Sequence, residues 1–186
     1  PYQWPKNGLV FAALAFSAGD AWEFSQIATW WPLLWRTALI FVAWCIASSA
    51  VYLVNDTADR EVDRLHPLKR DRPIARGAVS PKTALSTAGL LAAAAIAIAM
   101  AINWSAGAVL AGYVAGMITY SAGLKAIAPI DVLALTGGVI ARSVGGAVAI
   151  DVDVSLWLYV CTGFAAFFFA TSKRWAEYRE LGDVAL

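Results

Sequence analysis

The chain has 186 residues, a mean hydropathy of +0.64 and 15% charged residues, with fourteen Lys and Arg against thirteen Asp and Glu. That balance lies far from a water-soluble domain, and a net charge of +1 says little about partners, nucleic acid not being expected among them. Cys45 and Cys161 both lie inside apolar runs, give neither metal spacing nor a disulfide framework, and read as core thiols.

Apolar stretches of about twenty residues recur, the length that crosses a bilayer as a helix. Backbone groups in lipid must bond internally, so helices are expected, and the alternation of a membrane barrel is missing. Six spans follow in chain order, at roughly 8–22, 33–54, 84–102, 105–123, 130–149 and 154–171. The first is short and fits a tilt into the interface. The third, "ALSTAGLLAAAAIAIAMAI", is the plainest. Small residues in "AGLLAAAAIAIAMA" and "GGVIARSVGGAVA" predict close helix packing. The fold class expected is an all-α transmembrane bundle forming one membrane-embedded domain over 1–186. The chain opens on Pro1 and stops at Leu186 inside a charged run, so a C-terminally truncated piece of a longer protein is expected.

Basic residues set the orientation. Lys6 precedes the first span, seven Lys and Arg from Arg60 to Lys82 separate the second and third, Lys125 separates the fourth and fifth, and Lys173, Arg174 and Arg179 follow the sixth. The opposite loops carry none, and Trp30, Trp31, Trp35, Trp104 and Trp157 cluster there as an aromatic belt. Arg36 and Arg142 are the exceptions. The basic side is expected to face the cytoplasm, in a multi-pass protein of the inner (plasma) membrane.

The charge is gathered in one place: residues 55–77 hold five acids and six bases. If the second span continues as helix, Asp56, Asp59 and Asp63 fall at i, i+3 and i+7, within an arc of about 60°. Three carboxylates on one stripe repel each other, and a hard divalent cation relieves the repulsion. Mg²⁺ takes one or two carboxylates plus substrate phosphate oxygens. Asn55, Asp56, Asp59 and Asp63 are therefore the candidate metal set. The bland alternative is a solvated helix end, salt-bridged to Arg60, Arg64 or neighbours. Pro67 and Pro73 make the next stretch a loop, in which Lys69, Arg70, Arg72 and Arg76 could grip phosphate or anchor to anionic lipid. His66 precedes a proline and reads as a loop hydrogen-bonder rather than a base.

Two further polar clusters stand out: Tyr120, Ser121, Lys125 and Asp131, and then Lys173, Arg174, Glu177 and Glu180. Glu177 lies four residues beyond Lys173, the spacing of an ordinary helix salt bridge. Arg142 sits inside a span, where charge is costly and usually faces a polar interior, so it reads as a phosphate ligand or a structural one.

"NDTADREVD" and "RPIARG" resemble the first aspartate motif and following loop of the UbiA-type intramembrane prenyltransferase superfamily, over nearly the whole chain. "QWPKN", "YSAGLK" and "SKRWAE" are most similar to the branch that transfers 5-phosphoribose from phosphoribosyl pyrophosphate to a polyprenyl phosphate such as decaprenyl phosphate, for cell-wall arabinan precursors. The superfamily generally has nine spans, so the resemblance implies about three helices beyond these. Ordinary members carry a second Asp-rich motif after the sixth span, where "SKRWAEYRE" stands here.

The resemblance implies Mg²⁺ as cofactor, with Asp56, Asp59 and Asp63 as catalytic residues. It implies substrate contacts from Lys6, Asn55, Arg64, Lys69, Arg70, Arg72, Arg76, Tyr120, Lys125, Arg142, Lys173, Arg174 and Glu177. Two alternatives stay open: a prenyltransferase using a prenyl diphosphate and an aromatic or other acceptor, and a non-catalytic transporter or assembly factor.

Overall fold

The computed structural model describes residues 4–153 and 155–184, with the side chains at 126, 128, 177, 178 and 180–184 outside that description. A 3-10 helix, Trp4–Phe11, leads into α1 (Ala12–Phe16). Then follow α2 (Ile27–Ala58), α3 (Arg60–Leu65), α4 (Pro81–Ile102), α5 (Trp104–Ala122), α6 (Ala128–Ile150) and α7 (Leu156–Val184). No strand occurs among the described residues, in agreement with the all-α expectation.

Four of the helices are long and apolar enough to cross a membrane: Ile27–Ala58, Pro81–Ile102, Pro129–Ile150 and Leu156–Ala176. The expected span at 105–123 is the 19-residue α5, as apolar on average as α4. The expected span at 8–22 is not a spanning helix. It is a 3-10 turn and a five-residue helix that ends at Phe16, before a bend through Gly19 at φ +89°. Hydropathy registers the side chains of this segment and not its broken backbone. The heads of α4 and α5 are capped by side chains. Ser80 accepts from the Thr83 amide at 3.1 Å ahead of Pro81, and Asn103 accepts from the Ser105 amide at 2.8 Å.

The helices alternate in direction. Asn103, at the head of α5, donates to the Val148 carbonyl near the end of α6 at 3.1 Å. Leu33, near the head of α2, packs with Ala147 and Ile150. The belt tryptophans therefore share one end of the bundle and the aspartate row the other. Of these, Trp31, Trp35, Trp104 and Trp157 are exposed.

Packing follows the small residues. α4 buries Ala84, Ala88, Ala95 and Ala99, and α2 buries Ile40, Ala43, Trp44, Ala47, Ala50 and Val51 along one face. In lipid, close van der Waals contact rather than water exclusion holds helices together. Gly145 and Gly146 take this to its limit. A Cβ at Gly145 would lie 2.9 Å from the Trp44 ring, and one at Gly146 would lie 2.0 Å from the Val10 carbonyl oxygen. The N-terminal 3-10 helix thus lies backbone-first against α6. Cys45 is buried as expected, but Cys161 is exposed, because α7 buries little of its surface within the described bundle.

Candidate active site

The aspartate row sits where α2 gives way to α3. Asp59 lies between them with φ −87° and ψ −1°, and its amide still bonds to the Asn55 carbonyl at 2.9 Å. The Asp63 amide bonds to the Asp59 carbonyl at 2.8 Å. The backbone therefore stays close to helical through the row and keeps Asp56, Asp59 and Asp63 on one stripe.

Each carboxylate has a cationic partner, but not a local one. Arg72 reaches from the loop and places one terminal nitrogen 2.9 Å from Asp56 Oδ1 and 2.8 Å from Asp63 Oδ2. The Asp63 side chain is 3% exposed, so this bridge is largely withdrawn from solvent. Asp59 pairs with Lys125, which follows α5, and accepts from Asn55 Nδ2 at 3.0 Å. Ser121 donates to Asn55 Oδ1 at 3.4 Å. Ser121 and Lys125 thus belong to the aspartate row, and the expected grouping with Tyr120 and Asp131 divides. The expected partners Arg60 and Arg64 turn to Glu61, at 3.6 and 3.0 Å.

The loop that delivers Arg72 is anchored by its own sequence. Ile74 and Ala75 of "RPIARG" are buried, at 3% and 2% exposure. The Val79 amide bonds to the Pro73 carbonyl at 3.1 Å, and Gly77 turns the chain at φ +83°. Arg64 Nε donates to the Ala75 carbonyl at 2.8 Å and so latches the loop to α3. Lys69, Arg70 and Arg76 are exposed around it, without an ion pair among the described residues. His66 accepts from the Leu68 amide at 3.2 Å, the loop role expected of it.

A second polar group joins three helices. Tyr120 and Arg174 each donate to one oxygen of Asp131, which is 1% exposed. Lys173 lies nearby, and its charge acts on Asp131 and on Lys6. The Glu177 side chain is outside the described residues.

A third group lies deeper. Arg142 donates through Nε to Asn7 Oδ1 at 2.8 Å, through one terminal nitrogen to the Gly138 carbonyl, and through the other to the Tyr113 hydroxyl at 3.0 Å. Its guanidinium lies 5.5 Å from the Trp44 ring centroid and 5.0 Å from that of Tyr113. Asn7 also accepts from Ser48 at 3.3 Å and donates to Cys45 Sγ at 3.4 Å. Lys6 stays exposed beside this group. Partial burial, then the charges of Lys173 and Arg142, push its pKa below the usual lysine range. Asn7, Trp44 and Tyr113 escaped the sequence reading; only their polar atoms inside apolar runs marked them.

No three His, Cys, Asp or Glu side chains converge to hold a metal among the described residues. The donor chemistry nevertheless fits a hard cation. Asp56 and Asp63 present oxygens to one shared position, which the Arg72 guanidinium takes, and Mg²⁺ needs only one or two carboxylates when phosphates complete its shell. The convergent pair is Asp56 and Asp63, while Asp59 faces Lys125.

Known proteins resemble this chain over most of its length. The UbiA prenyltransferase family matches residues 9–183. A decaprenyl-phosphate phosphoribosyltransferase of Mycolicibacterium smegmatis is 38% identical over 179 residues, covering 95% of this chain and 54% of its own length. One of Corynebacterium glutamicum is 37% identical over 179 residues, covering 95% of this chain and 52% of its own. The structure of a UbiA homolog from Archaeoglobus fulgidus bound to DMAPP and Mg²⁺ superposes with a TM-score of 0.75 at 20% identity, over 91% of this chain and 58% of that one. The chain thus spans about half the length of the curated relatives it matches. With four apolar helices of spanning length and a family match over nearly its whole length, this integral membrane protein belongs to the UbiA prenyltransferase family.

Proposed function

We propose that this domain is the catalytic part of a Mg²⁺-dependent transferase moving 5-phosphoribose from phosphoribosyl pyrophosphate to a polyprenyl phosphate, decaprenyl phosphate by analogy with its relatives. The observation that carries this reading is the shared cation position between Asp56 and Asp63, taken by Arg72. Twelve of the fourteen basic residues group with this end of the bundle in the sequence. That asymmetry supports a cytoplasmic site in the plasma membrane.

In this scheme an oxygen of the lipid phosphate forms a bond to the anomeric carbon. The bond from that carbon to pyrophosphate breaks, and its electron pair leaves with pyrophosphate. Bound Mg²⁺ would supply charge neutralisation for the departing pyrophosphate, held on Asp56 and Asp63, with Asn55 and Asp59 beside them. Arg72 exchanges its carboxylates for donor phosphate oxygens. Lys69, Arg70 and Arg76 add donors from the loop, and Lys125 orients Asp59. Lys173 and Arg174 approach from α7 in place of a second aspartate motif. No general base is needed, because the attacking phosphate is already ionised.

The test is transfer of radiolabel from phosphoribosyl pyrophosphate to extracted lipid by the full-length protein, with and without Mg²⁺. Dimethylallyl and longer prenyl diphosphates form the second arm. Label transferred only from a prenyl diphosphate would replace the pentosyl donor with a prenyl one. No transfer from either, with Asp56→Ala indistinguishable from the parent, would leave a non-catalytic membrane protein.

A further inference from the structure

Arg142 lies within the Pro129–Ile150 span, about 20 Å along the helix from its first residue and about 12 Å from its last. A permanent charge at such depth is costly, faces the bundle interior, and marks a substrate path or a partner. Every carboxylate of the two inner-end clusters is already matched: Asp56 and Asp63 to Arg72, Asp59 to Lys125, Asp131 to Arg174. Arg142 has no carboxylate partner among the described residues; its partners are the neutral Asn7, Gly138 and Tyr113 and the ring faces of Trp44 and Tyr113. A guanidinium carries five N–H donors. Three are used, which leaves one on each terminal nitrogen, the pair that grips a phosphate in bidentate fashion. Lys6 stands beside it without an ion pair among the described residues, close enough for the two charges to act on each other.

An apolar groove of about 310 Å³ opens next to this cation, between α5 and α6. Tyr113 and Gly138, two of the three Arg142 partners, form part of its wall. Gly112, Gly116 and Gly137 line it too, and a Cβ at any of them would meet nothing within 4 Å. The groove therefore exists because side chains are missing there. Its volume sits at the lower end of the range for ligand pockets, about 300–1,000 Å³, and suits one narrow chain rather than the two of a phospholipid.

A deep cation with no anionic partner among the described residues, joined to a narrow apolar groove, is complementary to a single-chain anionic amphiphile. We infer that Arg142, with Lys6, holds the phosphate of the polyprenyl phosphate acceptor, and that the α5–α6 groove takes the first isoprene units of its tail. The assignment rests on the proposed reaction for the identity of the anion, and is tested without it.

The test is equilibrium binding of radiolabelled polyprenyl phosphate to the full-length protein in detergent, without Mg²⁺ or phosphoribosyl pyrophosphate, with phosphatidylglycerol as competitor. Arg142→Gln should weaken binding about tenfold or more, the loss of one charge-assisted contact. Gly116→Leu and Gly137→Leu, which fill open space, should weaken it similarly while leaving thermal stability intact. Asp56→Asn should leave it within about twofold, well under the 1.4 kcal/mol that separates tenfold steps. Equal competition by phosphatidylglycerol overturns the assignment in favour of a bulk-lipid site. So does unchanged affinity in the folded glycine variants, or a larger loss in Asp56→Asn than in Arg142→Gln. A protein that binds the lipid in this pattern yet transfers no phosphoribose would retain the seat and lose the reaction.

Discussion

Replacing Arg72 by Gln removes the one cation that Asp56 and Asp63 share. A hydrogen bond to a charged group contributes about 1.5–3 kcal/mol. The Asp63 bond keeps most of that, because its carboxylate is 3% exposed, whereas Asp56 at 26% and Arg72 at 37% are partly screened. The combined loss is about 2–4 kcal/mol, which lowers Tm by about 5–10 °C for a chain of this size. Thermal unfolding of the purified protein in detergent, followed by tryptophan fluorescence, reads this directly, with the exposed Arg70→Gln as control. A second readout follows from the two carboxylates left facing one vacant cation position. Millimolar Mg²⁺ should raise the Tm of Arg72→Gln more than that of the parent. If Arg72→Gln melts with Arg70→Gln, the bridge holds nothing together. If Mg²⁺ moves both proteins equally, Asp56 and Asp63 do not share a cation position.

Lys125→Met strips Asp59 of its cationic partner, leaving Asn55, at a site where both charged side chains are about one-quarter exposed. A loss of about 1 kcal/mol is expected in chemical denaturation, together with a fall in transfer activity well beyond what that destabilisation accounts for. Gly146→Ala drives a methyl into the Val10 carbonyl and should cost about 1–3 kcal/mol. Gly89→Ala, with open space around it, should be neutral or gain a few tenths to about 1 kcal/mol in helix propensity; paired denaturation curves decide both. Tyr120→Phe takes the donor from Oδ1 of the buried Asp131, leaving Arg174 on Oδ2, and should cost about 1–2 kcal/mol in the same assay. A midpoint unchanged from the parent would mean that the hydroxyl contributes nothing.

What could be read from the sequence was whatever repeats locally. Span length and apolar content located α2, α4, α6 and α7, and the i, i+3, i+7 spacing put the aspartates on one stripe because the backbone runs on almost unbroken through Asp59. What escaped has no local period. Lys125 meets Asp59 across 66 positions, and Arg72 meets Asp56 across 16 through a loop whose anchor, Ile74 and Ala75, is visible only once it is buried. Residues 8–22 misled for the opposite reason. Their composition is that of a span, but the turns around Gly19 divide the segment into pieces too short to cross. Arg142 was conspicuous as a charge in an apolar run, yet its partners Asn7 and Tyr113 come from two other elements.

The bond between Asn7 and Arg142 joins residues 135 positions apart. At synthesis rates of about 5–20 residues per second, the ribosome needs about 7–27 seconds to deliver the second after the first. Throughout that interval the segment around Asn7 has no guanidinium to hold it and no Gly146 to lie against. Membrane insertion of α2, α4 and α5 must therefore proceed with that segment still waiting, and it can settle only once α6 has followed.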